Sequence, residues 1–300
     1  MAVKKILFVF NPRAGKARIR NKLCDIIDIF TKAGYEVTVY PTQYEGDAVN
    51  VVRDKKKSYD LLVCSGGDGT LDEVVNGMIK SSKQIPIGYI PAGSTNDFAG
   101  SLGISKDMCK AARCIADGRD YACDIGTFNE ECFVYIAAFG LFTDVSYETS
   151  QEIKNVLGHM AYILEGVKRL SAIRSYKLKV YYKEESGEDK VIEDEFIFGM
   201  VTNSLSVGGF KRITGRNVEL DDGKFEVTLV RKPMNLLDIN MIRSSFLNRK
   251  IDMNYMYCFK VSEVVFEAED EIAWTNDGEF GGNHSIVHIK NMKQAVKIRV

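Results

Sequence analysis

The densest run of chemistry-bearing residues lies within 60–78, DLLVCSGGDGTLDEVVNGM. Gly66, Gly67 and Gly69 allow positive φ and close approach of backbone to a ligand, while Asp68 and Thr70 add a carboxylate and a hydroxyl. Leu71, Val74, Val75 and Met78 follow at helical spacing, with Asp72 and Glu73 in the first turn. A helix that starts beside such a loop offers backbone N–H groups to phosphate. Adjacent glycines, a further glycine, an Asp and a Thr in one loop point to nucleotide phosphates rather than to a plain strand-to-helix turn. Two common templates are excluded: Asp72 stands where G-x-G-x-x-G needs its last glycine, and no Gly-Lys-Ser/Thr follows.

Three further stretches carry candidate groups. Asn11, Pro12, Arg13, Ala14, Gly15 and Lys16 follow an apolar run, and Arg13 and Lys16 either face phosphate or are solvated loop charges. Residues 91–99 contain Gly93, then Ser94, Thr95, Asn96 and Asp97, able to bond a ribose, a phosphate or a helix N-terminus; capping alone accounts for one of them. Asp277-Gly278-Glu279 sets two carboxylates around a glycine, which on local grounds is hairpin-turn chemistry. His284 and His288 lack the Glu of a zinc-peptidase helix and read as structural, and Cys64 reads as a small core residue.

The elements that must position these groups divide the chain. Apolar runs at 4–10, 35–40, 60–65 and 85–90 alternate with helical patterns, as in a doubly wound parallel sheet whose carboxyl-end loops gather ligands. Beyond 121 the pattern is mostly strand-like, at 121–128, 132–142, 177–182, 196–202, 224–230 and 257–267, interrupted by helices at 153–170 and 235–248. Leu236, Ile239, Ile242 and Phe246 form an apolar face on the latter helix, read as core packing. The expectation is an α/β domain over 1–127 and a β-rich domain over 128–300, with the last strands free to return to the first.

At 300 residues and 45% hydrophobic content, the chain is long enough for two cores. A net charge of -1 supplies no field for nucleic acid. Seven cysteines without C-x-x-C suggest reduced thiols and a cytoplasmic protein. The short apolar run near the start reads as a first strand rather than a signal peptide, and no stretch is apolar enough to span a bilayer.

Taken in order, Asn11 to Gly15, Thr42 with Gly46-Asp47-Ala48, Gly66 to Thr70 with Glu73 and Asn76, Pro91 to Ala99, and Asp277-Gly278-Glu279 resemble the bacterial diacylglycerol kinase-like lipid kinases, related to sphingosine and ceramide kinases. The likeness covers nearly the whole chain. It implies a nucleotide-binding α/β domain like that of phosphofructokinases and NAD kinases, then a β-sandwich domain, with an active site in the cleft between them. ATP contacts would fall on Asn11, Pro12, Arg13, Ala14, Gly15, Thr42, Gly67, Asp68, Gly69, Thr70, Leu71, Asp72, Glu73 and Ser94, the last standing where the family usually has Thr. Asp277 would be the catalytic base toward the lipid hydroxyl, with Asp68 organising the Mg-ATP end. A structural Mg2+ would sit at Asp222 with the carbonyls of Glu219 and Lys224, although Lys224 replaces the usual apolar residue. The implied enzyme works peripherally at the inner face of the membrane, with Lys168, Arg169, Arg174, Arg243 and Arg249 as docking candidates; a homodimer is left open. The rivals are an NAD kinase-like enzyme and a non-catalytic lipid-binding protein on the same scaffold.

Overall fold

The computed structural model describes residues 3–55, 58–81, 84–93, 96–141, 173–184, 186–207, 210–211, 218–248 and 251–300. Ser94, Thr95, the helix expected at 153–170, Lys168, Arg169, Arg249 and Lys250 lie outside them. The chain forms two compact units, one of Met1–Ile125 with Gln294–Val300 and one of Gly126–Lys293. The division thus falls at 125/126, against 127/128 from the sequence, and the last seven residues belong with the first unit.

In the first unit, β1 (Lys4–Phe10), β2 (Tyr35–Pro41), β3 (Leu61–Gly66) and β4 (Ile87–Pro91) are parallel in the order β2-β1-β3-β4. Every residue of β3 and β4 is buried, as expected of strands covered on both faces. The registers pair Phe10 with Pro41 and Ser65, and Gly66 with Pro91, so all four strands end at one edge. Three helices are α1 (Leu23–Lys32), α2 (Asp47–Lys55) and α3 (Asp68–Ile79). Of these, α1 buries Ile26 and Phe30, and the Phe30 ring meets Phe8 and Tyr35 edge-on at 6.4 and 6.5 Å. Each such side chain contributes about 1.5–3 kcal/mol by leaving water. The short α4 (Asp97–Ser101) precedes α5 (Met108–Asp117), whose N-cap Asp107 accepts the Lys110 N–H at 2.9 Å. The returning C-terminus runs parallel to β4, pairing Ile298 with Ile87 and Arg299 with Gly88. It is tied by reciprocal Arg119–Val300 backbone bonds and by Arg299 to Asp120 at 2.7 Å.

The second unit is built on antiparallel pairs. Its strands follow β5 (Asp120–Phe128), which enters from the first unit: β6 (Glu131–Phe133), β7 (Ile136–Gly140), β8 (Tyr176–Lys183), β9 (Asp189–Thr202), the two-residue β10 (Ser206–Val207) and β11 (Phe210–Lys211), then β12 (Phe225–Arg231), β13 (Met256–Val261), β14 (Glu263–Asn276) and β15 (Glu279–Arg299). Trp274 anchors the core, its ring within 4.7–5.4 Å of Phe139, Phe266 and Phe128. Two sequence expectations need correction. The runs at 132–142 and 257–267 are each two strands, broken at Val134-Tyr135 and at Ser262, because backbone groups there turn to other partners: Asp277 takes the former's N–H groups and Asn291 donates to the Ser262 carbonyl. On α6 (Leu236–Asn248), Ile239, Ile242 and Phe246 pack inward, but Leu236, expected with them, is exposed.

Candidate active site

The edge where β1, β3 and β4 end is built by close backbone contact. Gly15 has φ 52°, and a Cβ there would lie 1.6 Å from the Ala92 carbonyl oxygen. A Cβ on Gly93 would lie 2.7 Å from the Gly67 Cα. Side chains at these positions would push the three loops apart, which is the reason for glycine at both. The Gly66 carbonyl binds them further, accepting the N–H groups of Ala92 (2.7 Å) and Gly93 (3.1 Å). Asn11 donates its N–H to the Ser65 carbonyl at 2.9 Å, and its side chain accepts the Arg13 N–H at 2.9 Å. Thr42 donates its N–H to the Phe10 carbonyl at 2.9 Å, so the loop after β2 joins the same edge.

The expected nucleotide residues Asn11, Pro12, Arg13, Ala14, Gly15, Thr42 and Gly67 to Glu73 therefore meet in one place. They do not all present side chains. Leu71 is fully buried, leaving its backbone as its outward chemistry. The Glu73 carboxylate accepts the N–H groups of Gly46 (3.0 Å) and Ala48 (3.1 Å), closing the start of α2. Asp72 accepts the Asn76 amide at 2.9 Å. Thr70 packs its side chain against Gly66, where a Cβ would meet its hydroxyl at 2.3 Å. Asp68 sits half-buried in the first turn of α3, whose N-cap is Gly67, so no N-cap side chain closes that helix start. Arg13 and Lys16 are solvent-exposed.

Two supports were not legible beforehand. Asn96, buried at φ 54°, accepts the Gly93 N–H at 3.0 Å and returns its amide to the Gly93 carbonyl at 2.8 Å. Tyr89 directs its hydroxyl to Asn96 and to the Gly66 carbonyl, both at 3.2 Å. Burial, then the charge of Asp68, then Cys64 hold the Tyr89 phenol well above its ordinary pKa, so it stays a neutral donor. Gly15, Lys16 and Ala17 all have positive φ, a left-handed run that the sequence signals only through its glycine. Cys64 is buried, with its thiol pushed up by burial, in keeping with a core role.

In the second unit, Asp277 and Gly278 have φ 50° and 87° in the two-residue turn between β14 and β15, which pairs Asn276 with Glu279. This is the conformation of a type I′ hairpin. The Asp277 carboxylate is buried and accepts the backbone N–H groups of Val134 (2.6 Å), Tyr135 (2.9 Å) and Ile136 (2.9 Å). Its own N–H donates to the Ile136 carbonyl at 2.8 Å, and the Tyr135 hydroxyl donates to its carbonyl at 3.2 Å. Glu279, one glycine further on, is exposed.

At the expected metal turn, Asp222 Oδ1 accepts the Lys224 N–H at 2.8 Å and Oδ2 pairs with Lys260 Nζ at 3.1 Å. Lys260 Nζ also lies 3.2 Å from Glu226 Oε1, forming a second ion pair. Burial pushes the Glu226 carboxyl up to about 7, against the pull of Lys260. Carboxylate and carbonyl oxygens suit a hard cation in kind. Asp222 already serves an amide and an ammonium, however, so a divalent ion there would compete with the charge of Lys260. Among the described residues no group of three or more His, Cys, Asp or Glu gathers as a metal cluster.

Comparison with known proteins follows the same lines. A family model described as the diacylglycerol kinase catalytic domain matches residues 5–128. A diacylglycerol kinase of Staphylococcus carnosus is 31% identical over 98% of this chain and 94% of its own, and one of Bacillus subtilis is 30% identical over 93% and 91%. A crystal structure of a candidate diacylglycerol kinase from Bacillus anthracis superposes with a TM-score of 0.84 at 25% identity, covering 99% of this chain and 95% of that one. With identity at this level sustained along nearly its full length, the chain belongs to the diacylglycerol kinase family.

Proposed function

We propose that this chain is an ATP-dependent lipid kinase, transferring the γ-phosphate to a hydroxyl of diacylglycerol or a related lipid and yielding phosphatidic acid or its equivalent. The observation that carries the reading is the meeting of the Gly15, Gly67 and Gly93 loops at one sheet edge, in a chain of this family. The finer fold assignment in the proposal is a phosphofructokinase- and NAD kinase-like first unit and a sandwich-like second one. The diacylglycerol kinase relatives, which match along the second unit as well as the first, speak against NAD as acceptor.

In this reading the ATP phosphates lie against Asn11 to Gly15, Thr42, Gly67 to Glu73 and Ser94. Backbone N–H groups at the start of α3 and the helix dipole favour the negative charge. Thr42 adds a hydroxyl, while Glu73 keeps the neighbouring loop in register. Mg2+ held near Asp68 would shield phosphate oxygens when bound. A second Mg2+ at Asp222, Glu219 and Lys224 would be structural, in competition with Lys260. The chain's own contribution to transfer is alignment, with a carboxylate to accept the lipid hydroxyl's proton.

Asp277 is the proposed acceptor. Glu279 is a second reading, favoured by its exposure beside a carboxylate that already accepts three backbone N–H groups. The deciding experiment measures labelled phosphate transfer from ATP to lipid in mixed micelles by the native protein, Asp277→Asn and Glu279→Gln. Labelled phosphatidic acid from the native protein supports the function, and the variant that loses transfer while still folded at the assay temperature identifies the acceptor. Phosphorylation of NAD with no labelled lipid would overturn the proposal.

A further inference from the structure

The outward side of α6 departs from what a solvated helix presents. Among the described residues, thirteen large hydrophobic side chains are exposed, and six of them fall between 234 and 253: Met234, Leu236, Leu237, Met241, Leu247 and Met253. Leu237 is 74% and Met234 79% exposed, so these are not edges of the core. The remaining exposed residues of α6 and its entry are Asn235, Asn240 and Asn248. Every exposed position from 234 to 248 is thus uncharged, whereas a helix facing water ordinarily carries its charges there. Asp238 and Arg243 are half-buried, and the inward face is filled by Ile239, Ile242 and Phe246.

We propose that this face of α6 docks on a lipid bilayer, laying its Leu and Met side chains at the boundary of headgroups and acyl chains. The proposal rests on the lipid-kinase reading, since a diacylglycerol substrate resides in a membrane. Among the described residues no helix is long and apolar enough to cross one. The chemistry of the face fits this occupant: flexible aliphatic and thioether chains with neutral amides, along a helix of thirteen residues, roughly 20 Å long. Protein interfaces enrich aromatic residues, arginine and methionine at their centres, and of these three this face exposes only methionine.

The test is sedimentation with sucrose-loaded vesicles of phosphatidylcholine and phosphatidylglycerol, comparing the native protein with the double variant Leu237→Gln, Met241→Gln. Both positions are exposed, so the fold has no need of them. Removing two such side chains is expected to weaken partitioning by about tenfold or more, while phosphorylation of a dispersed short-chain diacylglycerol stays at the native rate. Unchanged vesicle binding by the variant overturns the proposal. So does a native dimer that becomes monomeric in the variant while vesicle binding persists, which would make this face a contact between copies. If the native protein phosphorylates no diacylglycerol at all, the lipid-kinase reading fails, and the vesicle comparison still decides the docking surface.

Discussion

The glycine loops of the first unit and the Asp277 turn of the second both depend on backbone N–H groups, used in opposite ways. At the start of α3 the N-cap is glycine and supplies no side-chain acceptor, while Gly15 and Gly93 bring neighbouring loops within backbone contact. At the Asp277 turn three successive N–H groups are already filled by a carboxylate of the protein itself. The first arrangement suits a ligand that supplies negative charge. The second suits a side chain whose position must not drift. The first leaves room for an acceptor from outside the chain, and the second supplies its acceptor from within.

Substitution at Gly15 should break the first arrangement most severely. Gly15→Ala puts a methyl group 1.6 Å from the Ala92 carbonyl oxygen at φ 52°, so the loops must separate. The expected result is a loss of about 3 kcal/mol or more in stability, from steric overlap added to backbone strain, and at least a hundredfold fall in kcat/KM for ATP. Gly46→Ala is the control, since its φ is also positive but a Cβ there meets nothing within 4 Å. That variant should lose only about 1 kcal/mol, from the left-handed backbone alone. Equal effects in thermal melts would show that loop contact is not what demands glycine at position 15.

The Asp277 turn offers the sharper contrast. Asp277→Asn turns an NH2 group toward backbone N–H donors, and a lost charge-assisted bond among buried groups costs about 2–3 kcal/mol. Loss of a proton acceptor lowers turnover about 10²–10⁴-fold. Glu279→Gln, at an exposed site, should leave the melting temperature within error. Measuring melting temperature and kcat on both variants separates the jobs. If Asp277→Asn melts like the native protein, its three N–H bonds do not position the turn.

Glu73 is the first unit's own example of the internal arrangement, a carboxylate closing the start of α2 through Gly46 and Ala48. Glu73→Ala should destabilise by about 1–2 kcal/mol, the usual loss for a helix cap. Because the side chain faces that backbone, KM for ATP should change less than threefold, about 0.6 kcal/mol. A large change in KM with an unchanged melt would instead give Glu73 a direct nucleotide contact.

What was readable in advance follows from the same division. The alternation of strand and helix patterns put the loops holding Gly15, Gly67 and Gly93 on one sheet edge in advance, while the loop-to-loop backbone contact that demands glycine at 15 and 93 is visible only in the structure. The role of Glu73 could not be read, because its partners are the main chain of residues 46 and 48 and every residue type but proline has an N–H there. The strand break at Val134-Tyr135 was hidden for the same reason: the local pattern is apolar and continuous, and its cause lies more than 140 residues away in Asp277. For α6 the apolar spacing was visible, but a low-charge outer face makes Leu236 look like core when it is exposed. Lys260 gave no signal, since nothing local ties a strand lysine to the turn at Asp222.

That lysine sets the smallest of the expected effects. The ammonium pairs with Asp222 at 3.1 Å and with Glu226 at 3.2 Å, and its side chain is one-quarter exposed. A partly screened pair of this kind contributes about 1 kcal/mol or less, so Lys260→Met should lower stability by that amount in chelator. Its removal also frees one Asp222 oxygen that a divalent cation would otherwise have to win from an ammonium. Mg2+ should therefore raise the melting temperature of Lys260→Met by more than that of the native protein, and Asp222→Asn added to the variant should abolish the gain. Equal Mg2+ responses in the native protein and Lys260→Met would mean that the ammonium and the cation do not share the site. The turn would then resemble the Asp277 region, with its carboxylate fully committed within the protein.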